Sequence, residues 1–467
     1  MSEEFEPTQA DVTTEFVADT LPRPHTDAEV SNVLVLIGTR PEAIKMFPVV
    51  HALRRSSWFS PVVVTTGQHR DLVAPILQLA GIEPDHDLEV GRPGLTLNDL
   101  VVSVISGLDA FCRDRFGASG TVVTTRESVR EGGFPVTALV HGDTSSALAA
   151  ALASFHLQIP VCHIEAGLRT WSTLTPFPEE LNRQLISRIA AFHLAPTSIN
   201  EESLVREGVR YEQIFVTGNT GIDALRYAAT LESPFDDPPV AAAVASDGPL
   251  VLVTAHRREN WNGGLTRIAN AIGRLATARP DARFVLPLHP NPLVRRELGE
   301  PLSAYPNVIL TEPLPYGQFA RLMSRAAVIL TDSGGIQEEA PALGVPVIVA
   351  RESTERGEGV GAGTLTLVGT DSARIVAAVT SVLDDPDANA VDPATNPYGD
   401  GHAADRIVAA FENLAGIGPS PARFGSGFSR KMVLEAAGYP VGLLTEPTGA
   451  RNVQPDRSEE YDRWVGG

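Results

Sequence analysis

The stretch VLVLIGTRPEAIKMFPVVHALRR, residues 33–55, decides the fold of this chain. Its first six residues form a continuous apolar run, which is typical of a strand buried on both faces of a parallel sheet. The rest carries apolar residues at helical spacing. A strand that leads at once into a helix predicts the opening of a right-handed βαβ unit.

The same alternation of apolar strands and amphipathic helices continues along the chain in two series. Strand-like runs of the first series follow at residues 61–67, 137–143, 160–167 and 191–197. The second series is predicted to begin at IFVTGN (214–219) and to continue at residues 250–256, 283–289, 307–313, 327–332, 346–350 and 364–371. We therefore expect an α/β protein with two Rossmann-like, doubly wound parallel sheets in tandem.

The domain boundaries follow from changes in composition. Residues 1–30 are acidic and show no periodicity, so a disordered tail is predicted there. An N-terminal Rossmann-like domain is expected over 31–216 and a C-terminal one over 217–395. Residues 416–467 are rich in Gly, Pro and Ser and form a C-terminal extension, with at most a short helix at 431–439.

Composition excludes several classes of function. The formal net charge is -20, which disfavours nucleic acid and anionic membranes as partners, so any phosphate site must be local. The N-terminus lacks the apolar segment of a signal peptide, and no apolar run is long enough to span a membrane. The two cysteines, Cys112 and Cys162, have no metal-ligand spacing and indicate a reducing compartment. A cytoplasmic protein is expected.

Polar residues follow the apolar strands directly, and in open parallel sheets ligands bind at these carboxyl ends. Any one of these residues is as well explained by a helix N-cap or a solvated loop, but together they indicate a site. The residues are Thr39, Arg40, Glu42, Lys45, Asp143, Glu165, Arg169, His256, Arg257, Arg258 and His289.

The sharpest local signal is AVILTDSGGIQEEAPALG, residues 327–344. A buried strand ends at Asp332, Ser333 can cap the next helix, and Gly334 and Gly335 let the backbone approach a ligand closely. The free N–H groups of that helix suit a diphosphate. Glu338 and Glu339 are placed to accept from ribose hydroxyls or merely to complement the helix dipole, and the spacing leaves both open.

One familiar motif fails on its context, and two others are absent from the sequence. GEGVGA (357–362) fits a dinucleotide-binding pattern, but we interpret it as part of a loop that leads into a strand rather than a helix. The chain has no phosphate-binding P-loop sequence and no paired-histidine zinc motif. No metal and no cofactor are therefore expected.

Several strings together resemble the bacterial non-hydrolysing UDP-N-acetylglucosamine (UDP-GlcNAc) 2-epimerases. They include GTRPEAIKMFPVV, TGQHRDL, VHGDTSS, HIEAGLRT, PFPEELNRQL, TAHRREN, TDSGGIQEEAPALGVPVIV, ESTER and NPYGDG. The resemblance runs from about residue 33 to 415. It implies a GT-B fold with an active site in the interdomain cleft, a UDP-binding second domain, a helix at 396–415 that crosses back to the first domain, and a homodimer. It also implies interconversion of UDP-GlcNAc with UDP-ManNAc.

The resemblance assigns roles by position. The implied catalytic residues are Asp143, Glu165, Glu179 and His256, with acid and base left unassigned among the carboxylates. The implied substrate contacts are Arg40, Lys45, Ser333, Gly334, Gly335, Glu339 and Arg356, with Phe319 near the uracil. Gln68 and His69 match the region where bacterial members bind an allosteric second UDP-GlcNAc.

The implied chemistry agrees with these residue types. The hydrogen on C2 of the sugar is barely acidic, so the family eliminates UDP across C1 and C2 and adds it back with inverted C2. This requires cations around the phosphates and carboxylates near the ring. Three alternatives stay open from the sequence: a hydrolysing epimerase that releases UDP and free ManNAc, a glycosyltransferase of the same architecture, and a non-catalytic sugar-nucleotide sensor.

Overall fold

The computed structural model describes residues 30–117, 133–354 and 356–425. The tail expected at 1–30 lies almost wholly outside the described residues, as does the short helix considered at 431–439. Within the described ranges, no helix is both long and apolar enough to cross a bilayer.

The first sheet is parallel and has the strand order β3-β2-β1-β4-β5-β6-β7. Its strands are β1 (Ser31–Ile37), β2 (Phe59–Thr65), β3 (His86–Asp87), β4 (Thr137–His141), β5 (Val161–Ile164), β6 (Phe192–Ala195) and β7 (Ile214–Val216). The accompanying helices are α1 (Arg40–Arg55), α2 (Arg70–Leu79), α3 (Leu97–Phe116), α4 (Ser145–His156), α5 (Glu179–Ile189), α6 (Ser198–Arg206) and α7 (Thr220–Thr230).

The second sheet is also parallel, with the order β10-β9-β8-β11-β12-β13. Its strands are β8 (Leu250–Thr254), β9 (Arg283–Pro287), β10 (Val308–Thr311), β11 (Val328–Thr331), β12 (Val347–Val349) and β13 (Leu365–Leu367). The helices are α8 (Pro238–Ala245), α9 (Gly264–Ala278), α10 (Pro292–Val294), α11 (Glu300–Leu302), α12 (Tyr316–Arg325), α13 (Gly334–Glu339), α14 (Gly357–Gly361), α15 (Ser372–Asp384) and α16 (Ala403–Leu414). A π-helical segment, Arg295–Gly299, joins α10 to α11.

The placement of IFVTGN at the start of the second series was wrong. Residues Ile214–Val216 form β7, which pairs in parallel with β6 and completes the first sheet. Strand periodicity cannot distinguish the last strand of one sheet from the first strand of the next, because both are short buried apolar runs.

The decisive stretch folds as its pattern predicts. Residues 33–37 of β1 are almost completely buried between the helix layers. Thr39 occupies the N-cap of α1, and its backbone N–H donates to Oε2 of Glu42 at 3.0 Å, while Pro41 stands in the first turn. Proline is favoured there because the first-turn N–H has no helical partner. The strand is thereby followed by a helix after a two-residue link.

One apolar core joins the two sheets. It contains residues of β1 and α1 from the first sheet, of β8, β11 and α12 from the second, and of α7 and α16. Helix α7 packs against both α1 and α12, and α16 returns along the chain to pack on α1. The two sheets are therefore held together by shared burial of apolar side chains as well as by the chain itself.

The glycine-rich segment after Arg356 differs from the prediction of a loop. Gly357–Gly361 forms the short helix α14, and the chain then enters β13 as expected. The helix does not follow a strand directly, since residues 350–356 intervene, so the dinucleotide pattern still lacks its structural context.

Ile407→Ala tests the docking of the returning helix α16. Ile407 is 0% exposed within the shared core, so we expect a loss of about 2–5 kcal/mol in the free energy of unfolding. Leu414→Ala on the same helix removes a side chain that is 39% exposed and should cost much less. Urea unfolding of both variants measures the difference; equal losses would contradict this packing.

Candidate active site

Three of the sequence-predicted carboxylates meet at the carboxyl ends of β4 and β5. Asp143 lies two residues after β4, Glu165 directly follows β5, and Glu179 is the first residue of α5. Burial raises the pKa of Asp143, Arg183 opposes this, and the charges of Glu165 and Glu179 raise it further. The three acids are therefore close enough to interact electrostatically.

Glu165 is held in an unusual backbone conformation. Its φ is 61°, in the left-handed region that residues with a side chain seldom adopt. Its Oε1 accepts a hydrogen bond from Nζ of Lys45 on α1. Burial acts to raise the pKa of Glu165, but Lys45 and His141 outweigh it and bring that pKa to about 2. Glu165 is thus ionised across the physiological pH range.

Asp143 is held by α5. Nε of Arg183 donates to Oδ2 of Asp143 at 2.8 Å, and the side-chain amide of Asn182 donates to the Asp143 carbonyl oxygen, also at 2.8 Å. Nη1 of Arg183 donates in addition to the fully buried Glu180. One guanidinium therefore fixes both the acid after β4 and the start of α5.

The two neighbouring glutamates of PFPEE have different environments. Glu180 accepts from the backbone N–H groups of Thr170 and Trp171, so it stabilises the preceding loop. Glu179 has a buried Oε2 that makes no hydrogen bond within the described part of the chain. A buried carboxylate oxygen without a partner is costly and is a common feature of functional sites.

His256 is placed by a buried acid on the second sheet. Asp332 is 0% exposed and accepts from the backbone N–H groups of His256 and Arg257 at 2.9–3.1 Å. The imidazole of His256 stacks on that of His289 with centroids 5.4 Å apart. Burial lowers the pKa of His256. Asp332 opposes this decrease, whereas His289 and Arg257 add to it.

The glycine turn after β11 carries a cation. Ser333 occupies the N-cap of α13, but its side chain makes no capping hydrogen bond, contrary to the expectation from the sequence. A Cβ on Gly334 would come within 2.9 Å of Cζ of Arg356, so the guanidinium lies directly against this glycine. Nε of Arg356 donates to Oε1 of Glu338 at 2.9 Å.

Lys45 interacts electrostatically with acidic residues of both sheets. Burial lowers its pKa, but Glu165 of the first sheet unit and Glu338 and Glu339 of the second raise it, with a net increase. The side-chain amide of Asn219 donates to Oε2 of Glu338 at 2.8 Å. Charged residues contributed by both sheets therefore form one site across the cleft.

The remaining predicted residues lie around this centre. Arg40 is exposed and opposes the increase that burial causes in the pKa of Tyr316. Phe319 is half-buried against the shared core. Gln68 accepts from Ser146 at 2.6 Å, and His69 is exposed at the N-cap of α2.

A cavity of about 670 Å³ lies beside α2 and contains none of the predicted catalytic residues. Its lining includes Gly67, Arg70 and Asp87 from the same edge of the first sheet. Arg70 is already paired with Asp87 and Glu89. The chemistry of the carboxylate cluster, rather than cavity size, therefore identifies the candidate site.

The described residues include no group of three or more His, Cys, Asp or Glu side chains arranged to hold a metal ion. In the cluster, Lys45 and Arg183 already contact Glu165 and Asp143. Glu165 and Asp143 therefore form ion pairs with basic side chains of the protein.

Three residues of the site were missed by the sequence analysis. Arg183 lies four positions after Glu179, so helical spacing could have placed it on the same face. Asp332 was noted only as a strand end, and its role depends on a loop 75 residues away in sequence. His141 is the last residue of β4. It was missed because nothing in the sequence distinguishes it from an ordinary buried strand residue.

The architecture and the site define an enzyme of the GT-B type, with two Rossmann-like units and ionisable residues at their facing edges. The chain matches the UDP-N-acetylglucosamine 2-epimerase family over residues 51–412. It belongs to this family.

Individual relatives agree with that assignment. The chain is 44% identical to the UDP-N-acetylglucosamine 2-epimerase of Yersinia pestis over 389 residues, which cover 82% of this chain and 98% of the relative. It is 43% identical to the enzyme of Escherichia coli K12 over 395 residues, with the same coverage of both chains. The crystal structure of the Neisseria meningitidis UDP-GlcNAc 2-epimerase bound to UDP-GlcNAc is 39% identical, covers 82% of this chain and 100% of its own, and superposes with a TM-score of 0.66.

Glu339→Gln tests the electrostatics of the second sheet's acids. Burial raises the pKa of Glu339 from 4.5 to about 7. The charge of Lys45 opposes this increase, and the charge of Glu338 adds to it. Well below pH 4.5 the carboxyl is neutral in both the folded and the unfolded chain. Between pH 4.5 and about 7 it is ionised mainly in the unfolded chain, so folding loses stability over this interval and the loss levels off above it. The variant lacks this loss.

We therefore expect the urea midpoint of Glu339→Gln, relative to that of the native protein, to rise between pH 5 and pH 8. Glu232→Gln changes an exposed carboxylate and is the matched control. A Glu339→Gln difference that stays constant over this range would contradict the raised pKa.

Proposed function

We propose that this chain interconverts UDP-GlcNAc and UDP-ManNAc by reversible elimination of UDP through a 2-acetamidoglucal intermediate. One observation carries the proposal. Asp143, Glu165 and Glu179 cluster on the first sheet, and Arg356 lies against the glycine turn of the second sheet. Elimination of UDP needs both groups, because carboxylates can transfer protons at the sugar and cations can stabilise the negative charge of the leaving diphosphate.

The structure supports a division of roles among the carboxylates. A carboxylate with a pKa of about 2 is a weak proton acceptor at neutral pH, so Glu165 is suited to stabilising positive charge at C1. Asp143 has a raised pKa and is the better proton acceptor. We assign Asp143 to proton transfer at one face of C2. Glu179, whose Oε2 has no hydrogen-bond partner among the described residues, is assigned to proton transfer at the other face.

The UDP moiety is proposed to bind to the second sheet unit, residues 217–395. Backbone N–H groups of the Ser333-Gly334-Gly335 turn and the Arg356 guanidinium would receive the diphosphate. His256 lies at the carboxyl end of β8, beside β11 in the sheet, and is assigned to the leaving group. Arg40, Lys45 and Glu339 complete the substrate contacts, with Phe319 near the uracil.

A second nucleotide-sugar site is proposed at Gln68 and His69. Both follow β2 at the edge of the first sheet that also carries the catalytic cluster. The hydrogen bond from Ser146 orients the Gln68 amide, since its oxygen accepts and its nitrogen is left to donate.

We propose that the protein acts as a homodimer. Six large apolar side chains between residues 168 and 185 are more than 40% exposed, and Leu174 and Phe177 are 73% and 64% exposed. Leu181 and Leu185 are spaced by one helical turn on α5. An apolar surface of this kind is typical of protein interfaces, and a second copy is the proposed occupant.

The proposed location is the cytoplasm. Cys112 and Cys162 are free thiols, and burial raises the pKa of each to about 12. Thiols held in the protonated form react slowly and are compatible with a reducing compartment.

Incubation of the protein with UDP-GlcNAc in heavy water tests the proposed reaction. Proton NMR should show a UDP-ManNAc signal and deuterium at C2.

Asp143→Asn or Glu165→Gln should lower turnover about a hundredfold or more, because each removes a charged group used by the reaction. Asp109→Asn, an exposed carboxylate on α3, should keep native turnover. Release of free ManNAc would support the hydrolysing alternative, and absence of turnover would support a sensor.

Gly334→Ala tests the nucleotide site. Its Cβ would come within 2.9 Å of Arg356, whereas a Cβ at Gly107 would make only ordinary contacts with Leu88, at 3.5 Å or more. We expect Gly334→Ala to weaken UDP binding about tenfold, equal to about 1.4 kcal/mol. Gly107→Ala, on α3 and outside the proposed site, is the control and should stay within about threefold of native. Calorimetric titration with UDP measures both; equal affinities for the two variants would contradict the placement of Arg356.

A further inference from the structure

One buried group beside the carboxylates has no role in the proposed reaction. His141 is the last residue of β4, and its side chain is only 3% exposed. Its Nε2 lies 3.5 Å from Oε2 of Glu165. That nitrogen is buried and makes no hydrogen bond with the described residues. Buried polar atoms without partners are rare and call for an explanation.

The surroundings of His141 determine its protonation. Burial lowers its pKa to about 4, Glu165 opposes this change, and Lys45 adds to it. The titratable groups that face the ring are Glu165 after β5, Lys45 on α1 and His163 on β5. The imidazole is therefore neutral at physiological pH and carries a single N–H.

The position of that proton follows from the neighbouring charge. With the proton on Nδ1, the lone pair of Nε2 would face the negative Oε2 of Glu165, which is unfavourable. With the proton on Nε2, the ring donates toward the carboxylate. The permanent charge of Glu165 thus selects the Nε2–H tautomer.

We propose that His141 is a positioning residue that donates its Nε2–H to Oε2 of Glu165 and fixes the plane of this carboxylate. Lys45 donates to the other oxygen, Oε1. A single donor leaves a carboxylate able to turn about its last side-chain torsion, which is broad. Two donors, one on each oxygen, hold it in one orientation. The catalytic consequence rests on the proposed function, whereas the hydrogen bond itself does not.

Sheet pairing brings the backbone of His141 close to that of Glu165. His141 pairs in register with Ile164, the residue before Glu165, and the left-handed conformation of Glu165 accompanies the approach of its carboxylate to the imidazole. Catalytic hydrogen bonds are often long in unliganded sites and shorten in the complex, so 3.5 Å is a reasonable starting separation. Misplacement of a catalytic group by about 1 Å can cost about a hundredfold in rate.

Three variants separate positioning from general stability. His141→Phe fills the site but removes the donor. His141→Gln places an amide N–H near the position of Nε2. His193→Gln is the matched control. His193 is a buried histidine on β6, and the titratable groups near it are His163, Arg169 and Glu207 rather than the three carboxylates of the site. Thermal midpoints, kcat and KM for UDP-GlcNAc are measured for each.

The expected result is a separation of kcat from KM. His141→Phe should lower kcat by about 10- to 100-fold with KM within about twofold, since ground-state binding is retained. His141→Gln should recover most of kcat, and His193→Gln should resemble the native protein. Native kcat in folded His141→Phe, or equal loss of kcat in the Phe and Gln variants, would overturn the proposal.

Nitrogen-15 NMR of histidine-labelled protein gives a readout that does not depend on activity. The His141 signal, assigned by its loss in His141→Gln, should show a neutral ring protonated at Nε2, and Glu165→Gln should shift it. An Nδ1–H tautomer would overturn the inference even in an active enzyme. Absence of turnover in the native protein, with the Nε2–H tautomer present, would instead contradict the proposed function alone.

Discussion

The ion pair between Lys45 and Glu165 is the interaction on which the site depends. Glu165 directly follows β5 in a left-handed backbone conformation, and its carboxylate lies in a cleft where an unpaired charge would be strongly destabilised. Lys45 comes from α1, the helix that begins two residues after β1, where Glu42 accepts from the backbone N–H of the N-cap residue Thr39. The first strand-to-helix turn of the chain thus supplies the counterion for an acid that lies 120 residues later.

The same ammonium also balances acids of the second sheet. Glu338 and Glu339 both raise the pKa of Lys45, and Glu338 in turn binds Arg356 at the glycine turn. In a chain with a net charge of -20, three cations of the site, Lys45, Arg183 and Arg356, are each paired with a carboxylate. Binding of an anionic ligand here therefore alters the whole set of pairs rather than one contact.

The sequence predicted the two parallel sheets and the proximity of Asp143 and Glu165 because both follow from local pattern, whereas Glu179 was placed only by the family resemblance. Strand ends can be recognised, and parallel strands bring them to one edge. Other features depend on tertiary context. The pairing of β7 with β6, the salt bridge from Arg183 to Asp143, and the approach of His141 to Glu165 each join residues that no periodicity relates. The helix at Gly357–Gly361 was missed because glycine has poor helix propensity.

The return of α16 to α1 has a mechanical consequence. The chain leaves the first sheet after β7 and comes back through α16, so the second sheet unit is attached by two separate crossings. A body tethered at two points can swing about the line between them but cannot slide or twist freely. The two crossings therefore restrict how the sheets can rotate relative to each other, and α7 packs on helices of both, namely α1, α12 and α16.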